Sequence, residues 1–416
     1  KPLYYAHIDN MVLFSSEVRS LLASDWLERK HDPAGLADYL RYQTVHSPRT
    51  ILAGVSMLPA GHWMRLEGEE TEIGRWWDPA AAAKPQNRSR EDELKRIREV
   101  LSRSVELRLR SDVPLGAFLS GGIDSSVIVG LMKQATEHRT ATFSVIFNEG
   151  KFDESYYSRM IAERFDTDHH EIRLTPDNFL QAVPDALDAM DHPSGDGPNS
   201  YVISEATKSA GITVALSGLG GDELFAGYPV FQRTKLLWDQ RWLGSWPKGL
   251  RKLIGGVYAA YKNDIAAYKK AAALAGDYFD LLHTYPLSRQ AFLEPDIRRL
   301  APHLAVYPNA VYNQLLEELG AKSHGEKLPM LGQVSVAELG TYMQNTLLRD
   351  ADQMSMAHAL EVRVPFLDHD VVAAVLSVSD ENKWPHTPKQ LLTDAFPDLL
   401  PREVIDRPKM GFTLPW

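Results

Sequence analysis

The feature that most constrains the fold is the run Ser120-Gly121-Gly122-Ile123-Asp124-Ser125-Ser126. An apolar stretch, residues 113–119, leads into it, and a helix-forming stretch, residues 125–134, leads out. The order is strand, glycine turn, helix. Two adjacent glycines let the backbone turn tightly and leave no Cβ to hold an anion away. Backbone amides and the positive end of the following helix then face the turn. Ser120, Ser125 and Ser126 add hydroxyl donors, and Asp124 adds a carboxylate suited to a metal. Together these parts make a phosphate cradle. It is neither a G-x-x-x-x-G-K-[ST] loop, because no Lys follows the glycines, nor a G-x-G-x-x-G turn. An ordinary βα turn often carries Gly and Ser, but the order Ser-Gly-Gly-x-Asp-Ser is more specific than such a turn needs.

Strand and helix patterns continue to alternate after the cradle. Residues 141–147, 169–174 and 212–216 read as strands, and residues 154–165, 177–190 and 200–210 as helices. This alternation predicts an α/β fold with a doubly wound parallel sheet, in which right-handed crossovers put every strand's carboxyl end on one edge. A second glycine turn, Ser217-Gly218-Leu219-Gly220-Gly221-Asp222-Glu223, follows the strand at 212–216. Across a switch point the two turns face each other. Asp124 and Asp222 are then two hard oxygen ligands for Mg²⁺, which keeps its other positions for phosphate and water. Taken alone, an Asp-Glu pair after a glycine turn reads as a helix N-cap with a solvated first turn. The pairing with the first loop favours the metal.

The flanking regions are less telling. Residues 1–80 read as β-rich, with strands at 4–8 and 11–14, short helices at 17–22 and 34–42, and a strand-turn-strand over 55–66 around Pro59-Ala60-Gly61. Residues 80–90, rich in Ala, Pro, Asn and Ser, read as a linker, and residues 91–110 as a helix. Beyond about residue 230 the pattern is mostly helical. Trp238, Trp242, Trp246, Tyr258, Tyr261, Tyr268 and Tyr278 fall at helical spacing and read as packing residues. His169 and His170 are neighbours on a strand, so they point to opposite faces and do not share a metal.

Length and charge set bounds. A chain of 416 residues predicts two or three domains. A net charge of −10 excludes a global basic field for nucleic acid. No apolar run reaches the roughly 18 residues of a membrane span, so neither a nucleic-acid nor a membrane partner is expected. The 416 residues hold no cysteine, which excludes disulfides, thiolate metal sites and a cysteine nucleophile within them, and a reducing, cytoplasmic location fits. The first residue is Lys1 in a strand-like stretch and the last is Trp416 without a polar tail, so both true termini are expected to lie beyond this sequence.

Four segments together carry a resemblance. They are S-G-G-I-D-S-S (120–126), A-L-S-G-L-G-G-D-E-L-F-A-G-Y (215–228), M-S-M-A-H-A-L-E-V-R-V-P-F-L-D (354–368) and R-P-K-M-G-F (407–412). In this order they resemble the asparagine synthetase family of glutamine-dependent amidotransferases. The start, K-P-L-Y-Y followed by L-F-S-S-E-V-R-S-L-L, is similar to the end of that family's glutaminase domain, so the resemblance covers essentially the whole chain. It implies a synthetase domain at 91–416, a doubly wound ATP pyrophosphatase of the adenine-nucleotide α-hydrolase type with a helical C-terminal part. It also implies a linker at 81–90 and, at 1–80, a β-rich remnant of an N-terminal-nucleophile glutaminase domain whose catalytic cysteine lies outside this sequence.

The resemblance implies a chemistry as well. A substrate carboxylate attacks the α-phosphorus of ATP, pyrophosphate leaves and an acyl-adenylate forms. Ammonia released from glutamine then displaces AMP, and aspartate is the default acceptor. Ser120, Gly121, Gly122, Ser125 and Ser126 would meet the pyrophosphate, while Asp124 and Asp222 would hold Mg²⁺ and act in catalysis. Leu119 and Val145 would flank adenine or bond it through the backbone, and Ser217 and Gly218 would meet the AMP portion. Lys409 matches the family's catalytic lysine. The segment 361–368 would form a structural ion-pair network, and a homodimer is among the assemblies the resemblance allows. One departure stands out. Where asparagine synthetases usually carry Glu and β-lactam synthetases Tyr, this chain has Leu219, which has no group for proton transfer. Glu223, Asp350 or Asp352 would take that role, or the acceptor is another carboxylate: a natural-product, peptide or sugar acid. A nucleotide-binding module without catalysis is a third reading, and the retention of Asp124, Asp222 and Lys409 argues against it.

Overall fold

The computed structural model describes residues 1–68, 70–150, 152–194, 197–276, 278, 280–319 and 328–410. Gly411 and Phe412 of the R-P-K-M-G-F run, and the chain end through Trp416, lie outside the described residues. The chain forms two compact units, residues 1–82 with 228–346, and residues 83–227 with 347–416.

In the first unit, strands β1 (Tyr4–Ile8), β2 (Met11–Ser15) and β3 (Ser56–Met57) form an antiparallel sheet with β1 in the centre. Tyr4 and Ala6, two residues apart, point to the same face and pack with Val18, Leu21, Val55 and Met57. The hairpin expected over 55–66 does not form. β3 pairs with β1, while β4 (His62–Glu67) pairs with β5 (Glu70–Arg75) in a separate ribbon. The Glu-Thr-Glu start of β5 has no apolar alternation to mark it as a strand. Long-range bonds join the two sequence halves of this unit. Arg41 is buried and donates to Glu294 at 2.8 Å and to the Tyr307 carbonyl at 2.8 Å. Asn345 accepts from the Ser47 amide at 2.9 Å, and its carbonyl accepts from Thr44 Oγ1 at 2.6 Å.

The aromatic residues expected to pack in this unit mostly do not. Tyr261 is 82% exposed and Trp242 57%, and Trp246, Tyr258, Tyr268 and Tyr278 are exposed too. Helical spacing places residues on one face but does not supply anything to cover that face.

The second unit is built on five parallel strands: β6 (Leu115–Phe118), β7 (Ala141–Ile146), β8 (Asp168–Arg173), β9 (Val214–Leu216) and β10 (Glu361–Arg363), in the order β10-β9-β6-β7-β8. The chain runs outward from β6 to β8 and then returns to the other side of β6 as β9. That reversal makes a switch point between β6 and β9, and ligands bind outside the carboxyl ends of strands at such points. Ala117, Leu119, Ala215 and Leu216 have no exposed surface, as expected where a parallel sheet is covered on both faces. β10 was not read as a strand, because its Glu-Val-Arg sequence is too short for a period. It lies within the structural network expected there. Arg108 bonds Asp368 at 2.9 Å, and Arg363 donates to the carbonyls of Arg108 and Arg110 at 2.7 and 2.8 Å. These contacts fasten the end of the helix Arg90–Arg108, whose start is capped by Ser89 accepting from the Asp92 amide. His169 bonds Thr142, and the exposed His170 stacks on Phe143.

Candidate active site

The two glycine turns follow β6 and β9, on either side of the switch point. In the first, Gly121 has φ +68°, and a Cβ there would strike the backbone of Tyr157 and Ser158. The helix Ile123–Ala135 then starts at Gly122, where no side chain caps it. The amides of its first turn have no intrahelical acceptor and remain for a ligand. The hydroxyls hold the turn's shape. The Gly122 amide donates to Ser120 Oγ at 3.3 Å, and Ser120 Oγ lies 3.2 Å from Ser125 Oγ. Ser126 is fully buried, with no hydrogen-bond partner for its hydroxyl.

The second turn lies directly against the first. A Cβ on Gly218 would lie 3.0 Å from the Ser125 amide nitrogen, and one on Gly221 would overlap the Asp124 carboxyl group. Gly220 has φ +96°, a conformation that glycine adopts without strain. Ser217 is anchored by its amide to the Arg363 carbonyl at 2.8 Å. This contact brings together the two carboxylates that the sequence had only paired by pattern.

A lysine that the sequence reading did not single out joins them. Lys389 Nζ lies 2.5 Å from Asp124 Oδ2 and 2.6 Å from Asp222 Oδ1. Lys409 Nζ lies 2.6 Å from the same Asp222 oxygen and donates to the Gly227 carbonyl at 3.0 Å. Lys389 has φ +60°, an uncommon conformation for a side-chain-bearing residue, and its amide bonds the Phe225 carbonyl at the end of the second loop. At Gly227 a Cβ would strike both Asp222 Oδ1 and Lys389 Cε, so the cluster requires glycine there. A third cation stands at the other side of the cradle. Arg407 bonds Glu154 at 2.5 Å, stacks on Tyr157, and its Nη2 would lie 3.6 Å from a Cβ on Gly122.

Burial and pairing set the charges. Burial pushes the Asp124 carboxyl above its ordinary value, and Lys389 only partly opposes this. At Asp222 burial pushes the same way, but Lys389 and Lys409 together outweigh it and hold this carboxyl below its ordinary value. Lys389 is buried, yet the two carboxylates raise its pKa and keep it charged. Lys409 moves down, because burial and the neighbouring Lys389 outweigh its bond to Asp222. A cation already lies between the carboxylates, and Asp124 Oδ1 is buried without a hydrogen-bond partner. The donor set therefore suits a divalent cation. Among the described residues no group of three or more His, Cys, Asp or Glu forms a metal site, so a cation here would share its ligand sphere with phosphate.

The remaining sequence candidates lie as follows. Leu119 is buried, with its amide donating to the Phe143 carbonyl at 2.8 Å and its carbonyl accepting from Ser144 Oγ. Val145 lies in β7 and packs beside Phe147, Leu174 and Val202. Leu219 is half-buried, and its amide donates to Ser217 Oγ at 3.3 Å. Glu223 is buried. Asp350 accepts from Ser194 Oγ at 2.5 Å and from Gln353 Nε2 at 3.0 Å, and Gln353 in turn accepts from the amides of Asp191 and His192. These bonds make Asp350 a brace for the segment 191–194. Asp352, two residues further along the same helix, is half-buried.

The model of the asparagine synthase family matches residues 96–416, a span that includes both loops, Lys389 and Lys409. The chain belongs to the asparagine synthase family. A glutamine amidotransferase domain model matches residues 1–77. The chain is 31% identical to glutamine-hydrolysing asparagine synthetase 1 of Bacillus subtilis over 421 residues, covering all of this chain and 64% of that protein. A putative glutamine-hydrolysing asparagine synthetase of Mycobacterium tuberculosis is 31% identical over 430 residues, with 100% and 63% covered. Amidase chry2 of Gibberella zeae is 26% identical over 458 residues, with 100% and 66% covered. The chain thus spans about 64% of the length of the first of these relatives.

Proposed function

We propose that this asparagine synthase family member is an ATP-dependent amide-forming ligase. One observation carries the reading: two buried carboxylates and two lysines converge where two glycine loops meet at a sheet switch point. The substrate carboxylate attacks the α-phosphorus of ATP, the bond to the bridging oxygen breaks, and pyrophosphate leaves. Ammonia, drawn from glutamine, attacks the acyl carbon of the mixed anhydride, AMP leaves and one proton is released. The first-turn amides and the hydroxyls of Ser120 and Ser125 bind the pyrophosphate. Lys389 and Arg407 meet the charge that gathers on it, and Lys409 stabilises charge at the reacting centre. Leu119 and Val145 flank the base, with Ser217 and Gly218 at the AMP portion. Asp124 and Asp222 would hold Mg²⁺, which would supply positive charge against the phosphates. We further assign the family's adenine-nucleotide α-hydrolase type to the sheet, residues 1–80 to the glutaminase part, 81–90 to a linker and 91–416 to the synthetase.

Aspartate is the default acceptor, and the relatives named asparagine synthetase support it. Leu219 supports a second reading, in which another carboxylate is amidated or cyclised. The relative named an amidase fits that alternative. Pyrophosphate release with ATP, Mg²⁺, ammonium and a panel of carboxylic acids decides the matter. Release driven by aspartate alone supports asparagine formation, and release driven by a different acid supports the second reading. ATP binding without release for any acid would sink the ligase.

A further inference from the structure

The helix Lys248–Lys262 is inside out. Its buried residues are Arg251, Gly255 and Ala259, one stripe at i, i+4 and i+8. That stripe packs on the helix Ile265–Ala275, where a Cβ on Gly255 would lie 3.1 Å from the Ala271 Cα. Arg251 locks the hairpin by donating to the carbonyls of Trp246, Leu274 and Gly276 at 2.9 to 3.1 Å. The bulky apolar residues face outward instead. Leu250, Leu253, Ile254, Val257, Tyr258 and Tyr261 recur at three- and four-residue steps, and all are exposed. Single exposed apolar residues need no explanation, but a continuous stripe over about three turns does.

Charge argues for one occupant. Residues 241–276 hold seven Lys and Arg against one Asp, a local charge of +6 in a chain whose total is −10. Two of these cations stand at the apolar stripe: Lys270 Nζ lies 5.6 Å from the centre of the Tyr258 ring, and Lys262 Nζ lies 5.8 Å from that of Tyr261. A second copy of the same face would bring like charges together. No helix among the described residues is long and apolar enough to cross a membrane. An apolar stripe with tyrosines and flanking lysines suits a helix that lies in the plane of a bilayer interface.

We propose that the helix hairpin 248–275 docks on an anionic lipid surface, with the stripe from Leu250 to Tyr261 in the interface and Lys262 and Lys270 on the headgroups. This departs from the expectation of no membrane partner, which rested on spanning segments alone. It concerns where the enzyme works and is independent of the acid it activates.

The test is flotation of the 416-residue chain with phosphatidylcholine vesicles, and with vesicles containing about one-third phosphatidylglycerol. The chain should float with the anionic vesicles only. The double variant Leu253→Ser/Val257→Ser should bind them at least about tenfold less, and so should Lys262→Glu/Lys270→Glu. About 0.5 M salt should release the bound protein. Each variant should keep the wild-type circular dichroism spectrum and pyrophosphate release in solution. Three results would overturn the proposal. They are no flotation of the wild-type chain, equal flotation of the wild type and Leu253→Ser/Val257→Ser, or a monomer–dimer equilibrium that this double variant abolishes, which would make the face a protein interface.

Discussion

The sheet edge of the second unit and the helix hairpin of the first invert the usual distribution of side chains in opposite ways. At the edge, Asp124, Asp222 and Lys389 are charged groups drawn inside. On the hairpin, Leu253 and Val257 are apolar groups left outside, each more than 60% exposed. Buried polar groups and exposed apolar stripes are the informative exceptions to burial rules. The edge keeps its charges because each carboxylate has a cation within 2.6 Å. The hairpin keeps its stripe because Gly255 and Ala259, not the large residues, make its internal contact. An inversion with partners inside the protein points to chemistry, and one without partners points to a surface outside it.

The largest expected effect breaks the sheet edge. Asp124→Asn removes one of the two carboxylates and should lower pyrophosphate release by about 10³-fold or more, roughly 4 kcal/mol in the transition state. A stopped assay with folding checked by circular dichroism measures it, and a variant with full activity would remove Asp124 from metal binding. Next, Lys409→Ala should cost about 10²-fold in amide formation at saturating acid. The pH profile is the sharper test. Burial lowers the Lys409 pKa, so the ammonium is lost on the alkaline side at a pH below the ordinary lysine value of 10.5. A rate that holds up to that value would contradict a role for the protonated amine.

A third prediction uses Lys383, six residues before Lys389 in sequence, as a contrast. Lys383 is fully buried, its Nζ has no hydrogen-bond partner, and burial brings its pKa down to about 8. Between that value and the ordinary one the unfolded chain binds more protons, so this group's destabilising effect is complete below about pH 8 and is relieved as the pH rises toward 10.5. Lys383→Met should therefore stabilise the chain at pH 7 by roughly 2 kcal/mol and the gain should shrink by pH 10. Urea denaturation at both values reads this. Equal gains at the two values would mean that Lys383 is not carrying a buried charge. The smallest effect belongs to the hairpin, where Leu253→Ser should change stability by under about 0.5 kcal/mol. A larger loss would show that the stripe supports the fold.

Much of the sheet edge was legible because its signals are local. Glycines at 121, 122, 218, 220 and 221 and the aspartates beside them fall within two short runs after two apolar strands. The helices over 90–108 and 123–135 followed from periodicity in the same way. Lys389 was missed because it lies in the plain segment T-P-K-Q-L-L, 265 residues from the carboxylate it bonds. Its one local sign, a positive φ, is visible only in the folded backbone. β10 and β5 were missed because pairing, not composition, makes them strands. Six of the seven aromatics beyond residue 237 were misjudged because a helical period shows a face without its covering.

Backbone sterics act over a few residues, so the sequence alone specified where the chain turns and offers amides: at Gly121, at Gly220 and at the start of the helix after Ile123. Charge and burial act between residues far apart in the chain. Only the folded protein could therefore bring Lys389 between Asp124 and Asp222, send Lys409 to Asp222, and leave the stripe from Leu250 to Tyr261 facing outward.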